Sequence, residues 1–354
     1  MTRPHAIPGM VNVHSHAFQR DLRGAGERSG RPDDDFWTWR EAMYALANRL
    51  DPDSLREVAG RVYAEMAAAG YRAVGEFHYV HHRPDGTQYA EPNAMALAVA
   101  EAAAAAGLAV VLLPAAYHRG GRPRFRDPSV DAFLARVDAL RLTGAPVGVA
   151  AHSVRAAPAD WLREIAAYAD AHGLVRHVHA HEQPRELEEC QAEHGCSPIE
   201  LLHRTGFLGE RTTVVHAIHV APRDIELLAD TGTIVATCPT TEGNLGDGHF
   251  PALALHDAGV RLAIGSDSNV VVDPFEEARE LETGARRERR TRHALLAATG
   301  DLWGALRTNG LASLGLAATA TATIDLDHPR LLGIAAEDLP HALATCAAAD
   351  VVLA

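Results

Sequence analysis

The chain has 354 residues and 47% hydrophobic content, enough for one large α/β barrel or two ordinary domains. Its net charge of −13, from 33 basic and 46 acidic residues, disfavours nucleic acid or an anionic membrane as a partner, since both demand a basic face. All 33 basic residues are arginine, and the absence of lysine excludes Schiff-base chemistry, a P-loop phosphate site and a metal centre bridged by a carboxylated lysine.

The N-terminal "MTRPHAIPGM" has no signal-peptide apolar region, and no uncharged apolar run reaches the roughly 18 residues of a membrane span. Cys190, Cys196, Cys238 and Cys346 form no CxxC pair, so neither a disulfide framework nor a zinc knuckle is suggested. A reduced, cytoplasmic enzyme is expected. The first strand, "MVNVHSH" (10–16), ends in His14 and His16. In a strand both project to one face, roughly 6–7 Å apart, which suits a transition metal. A surface histidine beside a satisfied core histidine is the plain alternative. The connection over 17–50 carries "DDDFWTWRE". A loop this long inside a compact domain is more often functional, although its two tryptophans could simply cap an apolar core. A helical pattern over 51–70 leads to "YRAVGEFH" (71–78), and His81 and His82 follow in the flank of a turn.

Six more apolar runs follow: "LAVVLLPAAY" (108–117), "VGVAAHS" (147–153), "LVRHVHAHE" (174–182), "TTVVHAIH" (212–219), "TIVATCP" (233–239) and "RLAIGSDS" (261–268). Helical segments separate most of them; the one over 222–232 stops at a glycine. His177, His179 and His181 alternate, and one of them is expected to be a metal ligand. Glu182, three residues past His179, can curl back over a metal water and shuttle protons; a glutamate favoured by a helix dipole is the alternative. "CQAEHGC" (190–196) reads as helix rather than as a Cys/His site, and "ARRERRTRH" (285–293) as a solvated helix face. Residues after 318 read as a β-rich tail with a short helix.

Eight strand–helix alternations predict an α/β fold, a (β/α)8 TIM-like barrel with its reactive groups at the C-terminal strand ends. A doubly wound open sheet ranks behind, because no GxGxxG follows the first strand. The strand ends supply His14, His16, His179, His216 and Asp267. Three imidazoles plus a carboxylate with one open position suit a catalytic zinc, and ferrous iron suits the same donors.

"HSH", "HAHE", "VHAIH" and "GSDS" resemble the amidohydrolase superfamily, in particular its single-metal deaminase branch. "PGMVNVHSHAFQR", "FWTWRE", "GEFHYVHH", "HSVR", "CPTTEGNLGDG" and "IGSDS" resemble the formimidoylglutamate deiminases, over about residues 7–315. That resemblance implies hydrolysis of N-formimino-L-glutamate to N-formyl-L-glutamate and ammonia, in histidine degradation. It implies one zinc per chain on His14, His16, His179 and Asp267. Glu182 and His216 would then work on the water and the leaving amine, with Asp267 or Glu182 taking the water proton. Gln19, Arg40, Tyr79, His152 and Arg155 would hold the carboxylates of a small dianionic substrate, a task for which forked arginine donors are suited.

The chain departs from that family at its ends. About eight residues precede the first barrel strand, and the C-terminal part is short. The expected organisation is a barrel over 7–317, with 1–6 and 318–354 a remnant of the family's small β-sandwich, and a homodimer is expected to use the barrel face left uncovered. Two other functions compete: deamination of a ring amidine such as guanine, and a non-catalytic metal-binding relic.

Overall fold

This computed structural model describes residues 2–28, 32 and 34–353. Its strands are β1 (Pro4–Pro8), β2 (Met10–Ser15), β3 (Tyr71–His78), β4 (Ala109–Ala116), β5 (Val149–Ser153), β6 (Arg176–Ala180), β7 (Thr212–His216), β8 (Ile234–Thr237), β9 (Arg261–Ile264) and β10 (Thr321–Asp325). β2 to β9 lie side by side in sequence order, and every neighbouring pair is parallel. A parallel bridge from Ser15 to Asp267 carries the end of this sheet back to its beginning. The sheet is therefore a nearly closed barrel, as expected from the strand–helix alternation. β2, β7 and β8 are buried along their whole length, which is why such strands read as continuous apolar runs rather than alternating ones.

Several expected strands stop short of their polar ends. "LVRHVHAHE" is strand only over Arg176–Ala180, and "RLAIGSDS" only over Arg261–Ile264. The backbone gives the reason. His181, His216 and Asp267 take left-handed φ values of 59°, 78° and 43°, so the chain turns out of the sheet at these residues. Gly265 is needed at the same place: a Cβ there would lie 2.8 Å from the His14 carbonyl oxygen. Its absence lets the chain after β9 run close enough to β2 for the Asp267 and His14 backbones to hydrogen-bond at 3.0 Å.

The connection expected as a long loop is largely helical. Residues Ala17–Leu22 form a 3-10 turn, and Asp35 starts a helix over Phe36–Ala47. The Asp35 carboxylate accepts from the N–H groups of Trp37 and Thr38, while the Thr38 hydroxyl accepts from the Asp35 N–H. The next helix, Pro52–Ala69, begins with a second capping box on Asp51 and Ser54 and ends at left-handed Gly70, which turns the chain directly into β3.

Beside the barrel, β1 pairs antiparallel with β10, and Val352 bridges to Ile324. Cys190 lies inside the helix Pro184–His194, as the helical reading of "CQAEHGC" expects. The basic run is a solvated helix face: Arg286, Arg287 and Arg289 pair with Glu282, Glu280 and Asp257. Among the described residues, no helix is long and apolar enough to cross a membrane.

Candidate metal centre and active site

Three imidazoles converge at the C-terminal end of the barrel. His14 comes from β2, His16 follows directly after it, His179 comes from β6, and all three are buried. The Nε2 atoms of His14 and His179 are 2.9 Å apart. Asp267 places Oδ1 at 3.5 Å from His14 Nε2 and 3.3 Å from His16 Nε2. Zinc–nitrogen bonds of about 2.0–2.1 Å in a tetrahedron separate donors by roughly 3.3 Å, and the three observed spacings straddle that value. The outer nitrogens support the same reading. His16 Nδ1 donates to the Phe77 carbonyl at 2.8 Å and His179 Nδ1 to the His152 carbonyl at 2.9 Å, which leaves each Nε2 a bare lone pair. Burial keeps these rings neutral, pushing His14 down to about 3 and His16 and His179 below their ordinary value. Burial opposes ionisation of Asp267, but His14, His16 and His216 together hold its carboxyl well below the usual range. Neutral imidazoles around an anionic carboxylate are what a divalent ion requires.

The other two alternating histidines go elsewhere. His177 Nε2 meets the Ser313 carbonyl at 3.0 Å, while His181 bonds the His219 carbonyl and the Ile199 N–H. His81 and His82 follow β3 in irregular chain but are buried; His82 lies 3.4 Å from Asp127.

Glu182, just past β6, and His216, at the end of β7, face each other with 3.5 Å between Oε1 and Nε2. His216 Nδ1 donates to Glu242 at 3.2 Å. Burial opposes charging of His216, yet Glu182, Glu242 and Asp267 push it up to about 10. Glu182 is raised by its own burial, against the pull of His216 and Arg155.

These groups open into a cavity that Gln19, Arg40, Tyr79, His152 and Arg155 also line, with about 470 Å³ of open space when its mouth is included. All five sequence-selected carboxylate-binding residues are thus brought to one cavity. Gln19 Nε2 donates to the Tyr79 hydroxyl at 2.9 Å. The guanidinium of Arg40 lies 4.5 Å over the Trp37 ring, and those of Arg185 and Arg155 are 4.8 Å and 5.4 Å from the same ring. Of these three arginines, Arg40 and Arg155 line the cavity together with the metal-ligand cluster and Glu182, and Arg155 Nη2 lies 3.6 Å from Glu182 Oε2.

A family model for the amidohydrolase family matches residues 6–322. The chain belongs to the amidohydrolase family. It is 42% identical over 302 residues to formimidoylglutamate deiminase of Pseudomonas aeruginosa, covering 82% of this chain and 66% of that one. The chain thus spans slightly less than two thirds of that relative's length. It is 30% identical over 341 residues to the 5-methylthioadenosine/S-adenosylhomocysteine deaminase of Haloarcula marismortui, covering 92% of this chain and 74% of that one. Among solved structures, an amidohydrolase from Brucella melitensis superposes with a TM-score of 0.88 at 34% identity, covering 98% of this chain and 84% of that chain. An adenosine deaminase from Xanthomonas campestris with bound zinc shares the fold, with a TM-score of 0.84 at 24% identity, over 99% and 78% of the two chains.

Sequence reasoning passed over three features of this amidohydrolase site. Glu242 accepts from His216, the Thr237 hydroxyl and the Cys238 N–H. Asp247 offers a carboxylate oxygen within 4.8 Å of donor atoms on Glu182 and His216, and burial and Glu182 raise its pKa. Both acids sit in "CPTTEGNLGDG", where two carboxylates in a short polar tract after a buried strand were the available signal. Trp37, with three guanidinium groups about one ring, could have been found only from the fold.

Proposed function

We propose that this amidohydrolase is a formimidoylglutamate deiminase, hydrolysing N-formimino-L-glutamate to N-formyl-L-glutamate and ammonia as a step of histidine degradation. The observation that carries the reading is that Arg40 and Arg155 line the same cavity as Glu182, His216 and the metal-ligand cluster. The substrate carries the matching groups: an amidine on the α-nitrogen, one carboxylate beside it and a second at the end of the side chain. A neutral ring amidine such as guanine would offer no carboxylate to these two half-buried guanidinium groups, whereas the formimino substrate offers one to each. A decayed relic is disfavoured because the ligands, Glu182 and His216 are all present and oriented.

In this proposal His14, His16, His179 and Asp267 hold one zinc ion; ferrous iron would suit the same donors. When bound, the ion supplies Lewis acidity that lowers the pKa of a water to about 7. Arg40 and Arg155 grip the two carboxylates, with Gln19, Tyr79 and His152 completing that pocket. This fixes the formimino carbon beside Glu182 and His216. The amidine enters protonated, so one further proton suffices: Glu182 takes it from the attacking water and returns it to the departing nitrogen, which leaves as ammonia. His216, aligned by Glu242, donates a hydrogen bond to the oxygen as the carbon becomes tetrahedral. Asp267 receives the last hydroxyl proton as the formyl carbonyl forms.

The β1–β10 ribbon and the C-terminal tail stand in this reading for the small β domain expected beside the barrel, and the protein works as a cytoplasmic homodimer. Ammonia release from N-formimino-L-glutamate and from guanine, compared at equal protein concentration, tests the substrate class. A kcat/KM favouring the formimino substrate by at least about a thousandfold is expected, since a site built for polar groups of one substrate discriminates strongly against a ligand that lacks them. Preference for guanine would contradict the reading.

A further inference from the structure

We propose that Glu186 is a positioning residue for Arg155: it holds that guanidinium at the junction between the carboxylate pocket and Glu182. The proposal rests on the reading of Arg155 as a carboxylate-binding group. Glu186 is the third residue of the helix Pro184–His194 and is fully buried, with 0% exposure. Its two oxygens do different things. Oε2 accepts from the Glu182 N–H at 3.3 Å. Oε1 makes no hydrogen bond and lies 3.8 Å from Arg155 Nε, which is itself unpartnered and buried. On its other edge, Arg155 Nη2 is 3.6 Å from Glu182 Oε2, and the Trp37 ring centre is 5.4 Å from its central carbon. The guanidinium therefore sits among two buried carboxylates and an indole without closing a hydrogen bond to either acid.

A helix-capping role accounts for the Oε2 contact alone, and glutamine serves as well as glutamate at that position. Capping does not call for a charge, nor for complete burial. A carboxylate this deep stays ionised only beside a cation. Burial raises the Glu186 pKa, and Arg155 is the largest influence pulling it back. Glu186 thus retains the guanidinium in the barrel wall when a ligand carboxylate docks on it. The same residue fixes the backbone of Glu182, so substrate grip and proton transfer share one anchor.

The test is calorimetric binding of N-formyl-L-glutamate and of glutarate to the zinc-loaded protein. The variants are Glu186→Gln, Glu186→Asp, Arg155→Gln and the double Glu186→Gln/Arg155→Gln. Glu186→Gln is expected to weaken both ligands about tenfold or more, Glu186→Asp to recover part of that loss, and Glu186→Gln to add less than about twofold in the Arg155→Gln background. Wild-type-like binding by Glu186→Gln would overturn the proposal, as would an equal loss in both backgrounds, which marks a general structural effect. If Glu186→Gln does not fold, Glu186→Asp, which keeps the charge but withdraws it, gives the same comparison in both backgrounds. Wild-type protein that binds neither dicarboxylate overturns this inference together with the substrate reading. Binding of both without ammonia release from N-formimino-L-glutamate removes only the activity reading.

Discussion

Arg40 and Arg155 reach the cavity from distant parts of the chain, one from the helix Phe36–Ala47 and the other from the turn after β5. Each is taken to meet a substrate carboxylate in a charge-assisted hydrogen bond, worth about 1.5–3 kcal/mol. Arg40→Gln and Arg155→Gln are therefore expected to raise KM by roughly tenfold to a hundredfold, with a smaller change in kcat, in steady-state ammonia assays. Glu242 acts at the other end of the site. Glutamine can still accept from His216 Nδ1 but removes the negative charge that helps keep the ring protonated, so Glu242→Gln should lower kcat on the order of a hundredfold while zinc content stays unchanged.

A third residue-scale prediction concerns stability. Burial opposes ionisation of Asp127, but Arg136 at 2.8 Å and His82 hold its carboxyl well below the usual range. A folded-state pKa below the unfolded value of about 3.9 means the stabilisation is complete above that pH and is lost as pH falls through the acid range. Asp127→Asn, which leaves Arg136 buried without its counter-ion, should cost about 3 kcal/mol at pH 7. It should also flatten the decline of stability below about pH 4 in pH-dependent urea melts.

At the scale of elements, the left-handed turns after the strands carry the site. Gly265 allows the approach that brings Asp267 to His14 and His16, and a Cβ would meet the His14 backbone at 2.8–3.0 Å. Gly265→Ala should therefore abolish tight zinc binding, measured by equilibrium dialysis. Retention of stoichiometric zinc would show that the turn does not set the ligand spacing. The barrel strands were legible because parallel strands buried on both faces read as apolar runs with polar ends. The convergence of the candidate ligands was legible for the same reason: His14, His16, His179 and Asp267 sit at or just past those ends. The helix Phe36–Ala47 was hidden, because "DDDFWTWRE" reads as an acidic, aromatic loop unless Asp35 and Thr38 are seen as a capping box. Glu186, Glu242 and Asp247 were hidden for another reason. Each looks like a surface acid in sequence, and only tertiary packing turns it into a buried partner of Arg155, His216 or Glu182.

For the whole molecule, the arrangement concentrates buried donors at one end of the barrel, with His14, His16, His179, Glu182, His216 and Asp267 all under 10% exposed. An ion held only by the folded state stabilises that state by mass action. Chelated protein should thus melt at a lower temperature in scanning calorimetry, and zinc should restore the difference. An unchanged Tm would mean that the cluster is not an ion site. The deiminase reading is tested most directly by ammonia release from N-formimino-L-glutamate by the zinc-loaded protein, beside Glu182→Gln carrying the same zinc content. Turnover by the wild type and a loss of at least about a hundredfold in the variant are expected. No release by wild-type protein that holds one zinc per chain, or undiminished release by the variant, would contradict that reading.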